Sequence, residues 1–261
     1  MNKIVQYNYK SIIQSKPKPS RTNIPKKRAL LVGINYENTK YRLKGCINDV
    51  NNISNILTQK GYTCVKITDQ TSMKPTKANI LLLLQQLLTT SVSGDTCFFH
   101  YSGHGTSTMD RNKDELDGRD EMICPLDMNF ILDDELNSLI RKYLPAGVTL
   151  FALFDSCFSG TVLDLKYNYL PHVMNSRVKE TNSNVIMISG CSDSQLSADA
   201  WINNNWQGAM TNSFINSLPS STSLVSLLQK MRTYLFKNKY TQIPQMSTGR
   251  LVNINLPNLY V

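Results

Sequence analysis

Histidine is scarce in this chain: three residues among 261, at positions 100, 104 and 172. Chemistry that needs an imidazole therefore has few places to sit. The six cysteines (46, 64, 97, 124, 157 and 191) include no C-x-x-C pair and no spacing suited to zinc. Several fall inside apolar runs such as GYTCVKI and DTCFFHY, where cysteine acts as a small core residue. No disulfide framework is evident, which points to a reducing compartment. The N-terminus lacks the continuous apolar stretch of a signal peptide, and no segment approaches the ~20 apolar residues of a membrane span. A cytoplasmic protein without membrane contact is the expectation.

Acidic residues are missing altogether from the first 28 positions, which carry Lys3, Lys10, Lys16, Lys18, Arg21, Lys26, Lys27 and Arg28. These are eight of 28 basic residues, and they leave 20 against 19 acids in the rest of the chain. The net charge of +9 thus belongs to a tail, which can bind polyanions or stand as a solvated, protease-sensitive extension, and the second reading is preferred. Residues 1–27 read as a solvated basic extension and residues 28–261 as one α/β domain, with no nucleic-acid partner expected.

What is present is an alternation. RALLVGINY is an apolar run of strand length ending at a glycine, and CINDVNNISNILTQKG follows with Ile47, Val50, Ile53 and Leu57 at helical spacing. Gly61 is placed as its C-cap. YTCVKITD reads as a strand, TKANILLLLQQLLTT as a helix with Thr76 as N-cap, and DTCFFHYS as a third strand. Residues 106–132 are polar and loop-like. DDELNSLIRKYL is a short helix with acids at its positive end, VTLFALFDS a fourth strand and NVIMISGC a fifth. Helices over about 208–217 and 222–237 precede a last strand around 246–254. Such a pattern predicts a mainly parallel sheet covered on both faces.

In parallel sheets, ligands bind beyond the carboxyl ends of the strands. His104 lies just past the end of the third strand and Cys157 just past the end of the fourth. Gly103 and Gly105 bracket the histidine; Ser156 precedes the cysteine, and Ser159 and Gly160 follow shortly after it. A thiol of pKa about 8.5 needs a base or cation nearby to become a nucleophile, and an imidazole serves as both. Spacing alone leaves the other reading open, in which two loop residues never meet. His100, inside its apolar run, is a core residue. In extended backbone, Asp155 projects to the same face as Cys157, and Ser102 to the same face as His104.

HYSGHGT and ALFDSCFSGT together resemble the caspase-like cysteine peptidases, and specifically the metacaspases. LKGCINDV (43–50), DGRDEMICPLDM (117–128), ILDDEL (131–136), ISGCSDSQLSADA (188–200) and GAMTNSFI (208–215) continue that resemblance in order. It implies a caspase-like sandwich around an approximately six-stranded sheet. A large-subunit-like region would cover about 28–165, a loop about 166–183, and a small-subunit-like region about 184–261. It also implies that Cys157 is the nucleophile, that His104 is the general base and acid, and that the N–H groups of Gly105 and Cys157 form an oxyanion hole. Phe158 departs from the family, which usually has histidine there.

The same resemblance implies that Cys46, Asp49, Ser102 and Asp155 build a specificity pocket. Its two acids would favour arginine or lysine before the scissile bond and repel aspartate. Residues 110–135 hold Asp110, Asp114, Glu115, Asp117, Asp120, Glu121, Asp127, Asp133, Asp134 and Glu135. Hard oxygen donors without histidine or thiolate favour calcium over zinc, although no EF-hand pattern is present. The resemblance implies a calcium site at Asp120, Asp133, Asp134 and Asp164. It further implies a monomer acting on protein or peptide substrates. Calcium-stimulated self-cleavage is expected either in the loop after Asp164, which holds Lys166, Arg177 and Lys179, or in the basic tail. The competing expectation is an inactive caspase-like scaffold that works by binding other proteins.

Overall fold

In the computed structural model the chain is described at residues 24–109, 119–157, 162–169, 172–190, 199–202, 205–257 and 261. The tail up to residue 23, the acids Asp110, Asp114, Glu115 and Asp117, and Phe158 and Cys191 lie outside the described residues. The first strand, β1 (Lys27–Gly33), leads to α1 (Cys46–Gln59), β2 (Thr63–Thr68), α2 (Lys77–Thr89) and β3 (Thr96–Ser102). Next come β4 (Gly105–Met109), β5 (Arg119–Ile123), β6 (Ile131–Leu132), α3 (Asp133–Tyr143) and β7 (Thr149–Asp155). The remainder is β8 (Tyr167–Tyr169), β9 (Val173–Met174), β10 (Asn184–Ser189), β11 (Asp199–Ile202), β12 (Asn205–Gly208), α4 (Ala209–Ser217), α5 (Leu224–Lys237) and β13 (Gln245–Thr248).

The main sheet has the order β2-β1-β3-β7-β10-β13-β8-β9. Its first five strands are parallel, whereas β13, β8 and β9 are added antiparallel. Six strands thus form the expected row, and the β8–β9 hairpin extends it to eight. Period-two side-chain alternation splits the core in two. Leu30, Val32, Phe99, Tyr101, Ala152 and Phe154 pack with Leu84, Leu88, Leu136 and Ile140 of α2 and α3. Ala29, Leu31, Phe98, Phe151 and Leu153 pack with Val50, Ile53, Leu57, Phe214 and Leu228 of α1, α4 and α5 on the other face. Phe98 and Phe151 are register partners and stack with centroids 5.4 Å apart. A continuous apolar strand is what such two-sided burial requires.

Local signals set the helix ends. Thr76 Oγ1 accepts the Asn79 N–H at 3.4 Å, and Gly61 takes φ +85° just after α1, as a C-terminal glycine does. Two segments expected to be loops are in fact strands. Residues 106–132 contain β4, β5 and β6, a separate antiparallel three-stranded sheet. Its strands are short and partly exposed, so their composition carries no apolar alternation to read. In the 166–183 segment, Tyr167 and Tyr169 are buried on either side of half-buried Asn168, which makes β8. The last strand is shorter than expected and stops at Thr248. His100 is fully buried, as expected of a core residue, with Nδ1 3.0 Å from the Leu153 carbonyl. Burial lowers its pKa to about 4, so it stays neutral.

Candidate active site

Strands β3 and β7 are neighbours in register, with Ser102 opposite Asp155. His104 and Cys157 each lie two residues further, past the ends of adjacent parallel strands. The Gly103 N–H donates to the Asp155 carbonyl at 3.3 Å, continuing the pairing beyond the sheet. Gly105 packs against the candidate nucleophile's backbone: a Cβ there would lie 2.0 Å from the Cys157 carbonyl oxygen. Only glycine admits this approach. The candidate base, the candidate nucleophile and both candidate oxyanion donors therefore belong to one strand-end junction.

The histidine is positioned from both sides of its ring. Nε2 lies 2.7 Å from the Tyr41 carbonyl oxygen. A carbonyl only accepts, so Nε2 carries the proton and Nδ1 keeps the lone pair of a base. The Tyr36 ring lies 4.7 Å from the imidazole, and Tyr41 meets it edge-on at 6.4 Å. The His104 N–H donates to the Tyr36 hydroxyl at 3.0 Å, and the Tyr36 and Tyr101 hydroxyls are 3.1 Å apart. Burial pushes both phenols well above their ordinary pKa, so this pair remains a neutral support. Cys124 is also buried here, and its thiol is pushed up to about 12 by burial and by neighbouring Cys157. It is not a competing thiolate. Sequence reading missed Tyr41 because the functional group is a backbone carbonyl, which no residue type announces.

Beside the junction stands a pair of buried carboxylates, Asp49 at 1% exposure and Asp155 at 3%. Ser102 Oγ donates to Asp49 Oδ2 at 2.7 Å, and the Gly208 N–H reaches both Asp49 oxygens at 2.9 and 3.1 Å. The Thr211 N–H, in the first turn of α4, donates to Asp155 Oδ2 at 2.8 Å. A Cβ on Gly208 would meet Asp155 Oδ2 at 2.1 Å and Asp49 Oδ2 at 2.7 Å, so both acids flank this glycine. Cys46, also buried, opens the helix that carries Asp49. Asp49, Ser102 and Asp155, from three separate elements, thus lie together around Gly208, with Cys46 one turn before Asp49 on the same helix. Gly208 and the Thr211 N–H had been visible only as part of the stretch GAMTNSFI.

The second acidic group gathers near the start of α3. Asp133 accepts the N–H of Glu121 at 2.5 Å and of Asp134 at 2.7 Å. Asp120, Asp133 and Asp164 are buried and Asp134 is half-buried. Asp164 has φ +45°, and its carbonyl accepts from Asn137 of α3 at 3.1 Å. These are hard oxygen donors of the kind calcium takes, but no three acidic, histidine or thiol side chains are gathered as a ligand set among the described residues. One turn beyond Asn137, Arg141 grips the carbonyls of Lys179 at 2.7 Å and Glu180 at 3.1 Å. Lys166 Nζ holds the Val178 carbonyl at 3.1 Å. The segment expected to be an open cleavage loop thus has exposed Lys179 and Arg177 side chains on a tethered backbone.

Among the described residues no disulfide forms at Cys46, Cys64, Cys97, Cys124 or Cys157, and no helix is long and apolar enough to cross a membrane. A family model for the metacaspase, peptidase C14 domain, matches residues 27–166. Metacaspase-1 of Meyerozyma guilliermondii is 38% identical over 88% of this chain and 71% of its own length. Metacaspase-1 of Candida albicans is 38% identical over 90% of this chain and 67% of its own. In fold, a protein from Geobacter sulfurreducens matches with TM-score 0.68 at 24% identity, over 90% of this chain and 97% of that one. The Drosophila initiator caspase Dronc matches with TM-score 0.54 at 10% identity, over 86% and 79%.

Proposed function

This chain belongs to the metacaspase family of caspase-like cysteine peptidases, and from that premise we propose an endopeptidase that cuts after arginine or lysine. The observation that carries the specificity is the Asp49–Asp155 pair converging on Gly208. A guanidinium or ammonium seated there gains charge-assisted hydrogen bonds, whereas an aspartate side chain meets two like charges.

The chemistry follows from the junction. Nδ1 of His104 takes the Cys157 proton, and the sulfur attacks the carbonyl carbon of the basic residue. The N–H groups of Gly105 and Cys157 are the candidate donors to the resulting oxyanion, and each such donor is worth about 3 kcal/mol. The imidazolium then protonates the leaving amine, and a water activated by the same nitrogen releases the acyl group. Throughout, the Tyr41 carbonyl fixes the tautomer. Calcium suits the donor chemistry of Asp120, Asp133, Asp134 and Asp164, and when bound would supply positive charge against that cluster.

Self-cleavage in the 166–183 segment is part of the proposal, at Lys166, Arg177 or Lys179. Cutting after Lys179 requires Arg141 to release that residue's carbonyl. Fluorogenic peptides with arginine, lysine or aspartate before the reporter, each with and without calcium, test the reading. Turnover of the basic peptides is expected, faster with calcium; turnover of the aspartate peptide alone would refute the specificity. Equal fragmentation of wild type and Cys157→Ala in calcium would exclude self-processing.

A further inference from the structure

Beside the acid pocket lies an aromatic surface that the dyad does not use. Trp201 of β11 and Trp206 of β12 are cross-strand partners, with rings 5.5 Å apart and edge to face. Trp206 is half-buried, but Trp201 is 59% exposed. A tryptophan ring in water forgoes a large apolar burial, and such exposure next to a binding site marks a contact surface.

The hairpin is held to the pocket wall along the whole of β12. Asn48 of α1 donates to the Trp206 carbonyl at 2.8 Å and to Asn205 Oδ1 at 3.0 Å. Gln207 Oε1 accepts from Asn52 at 3.2 Å and from Asn212 at 2.9 Å, and the Gly208 N–H is spent on Asp49. The helix that carries one pocket acid therefore also fixes the tryptophans, so the surface exists before a ligand arrives.

Direction comes from two facts. Residues two apart in a strand share a face, so Trp206 projects to the side on which Gly208 faces the two acids. Asp49 is held on one side by Ser102, two residues before His104, and on the other by Gly208. A leaving amine must face His104, so the acyl half of the substrate runs the other way, toward the hairpin. Two strand residues span about 7 Å, the same step that separates alternate side chains of an extended peptide. Lys44 Nζ already sits 4.3 Å over the Trp206 ring, which disfavours a second cation and leaves the open Trp201 face for an uncharged guest.

We propose that Trp201 and Trp206 form a second specificity subsite, which takes an aromatic or long aliphatic side chain two residues before the arginine or lysine. The inference rests on the basic-residue reading above. Its test is a set of peptides Xaa-Gly-Arg-reporter, with phenylalanine, leucine, glycine or lysine as Xaa, assayed on wild type, Trp201→Ala and Trp201→Phe. Wild type is expected to prefer phenylalanine or leucine over glycine by about tenfold in kcat/KM, mostly through KM, as burial of one side chain predicts. In Trp201→Ala the ratio falls toward one, and Trp201→Phe restores most of it. Arginine peptides cut without preference, or a preference that survives Trp201→Ala, overturns the subsite alone. Cleavage confined to aspartate peptides overturns the basic pocket and the subsite together.

Discussion

Two of the places where the molecule buries aspartates hold them differently. Asp49 and Asp155 receive their donors from two separate parts of the chain: a strand-end serine, and the start of α4 through the Gly208 and Thr211 N–H groups. Those donors offset the cost of burying charge and fix both carboxylates on either side of Gly208. Asp133 instead takes its donors from nearby backbone, at Glu121 and at its own neighbour Asp134, where a helix N-terminus favours negative charge. The first arrangement is the one proposed above to seat a substrate cation. The second is a group of acids on separate elements, and an ion bound there would tie those elements to one another.

The largest expected effect that bears on this contrast is at the pocket. Asp155→Asn or Asp49→Asn keeps the shape but removes a charge, so kcat/KM for arginine peptides should fall about 100-fold, consistent with losing a hydrogen bond to a charged group. A loss of twofold or less would mean the pair does not seat the substrate cation. Next comes Asp133→Asn, for which calcium binding measured by calorimetry should weaken about tenfold. Unchanged affinity would place the ion elsewhere. The smallest effect concerns acid stability. His100 has a folded pKa of about 4 against about 6.5 when unfolded. As pH falls from 6.5 to 4 the unfolded chain takes a proton that the folded chain refuses, so stability drops by about 1.4 kcal/mol per pH unit. Denaturant melts of His100→Asn should lack that slope and so isolate the carboxylate contribution below pH 4.

How much of this was legible depends on where the chemistry resides. His104 and Cys157 are side chains whose types suggest a base and a nucleophile, and apolar runs place them at strand ends. Asp49 and Asp155 are singled out as a pocket only by the resemblance, since an aspartate on a helix otherwise reads as solvent-facing. Tyr41 and Gly208 act through a carbonyl and an N–H, which every residue has, so only coordinates single them out. The β4–β6 sheet carries no apolar alternation because GTSTM is at most half-buried and the buried residues of RDEMI include Asp120 and Glu121. The β8–β9 hairpin was hidden in a segment whose basic residues drew attention ahead of its two tyrosines.

The two buried acids are completed late in the chain. Asp49 takes a donor from Gly208, 159 positions further on, and Asp155 takes one from Thr211. A chain emerging from its ribosome just past residue 157 carries His104 and Cys157, but neither acid has these donors until β12 and α4 have docked. On the proposed specificity, selective cutting would wait for that docking.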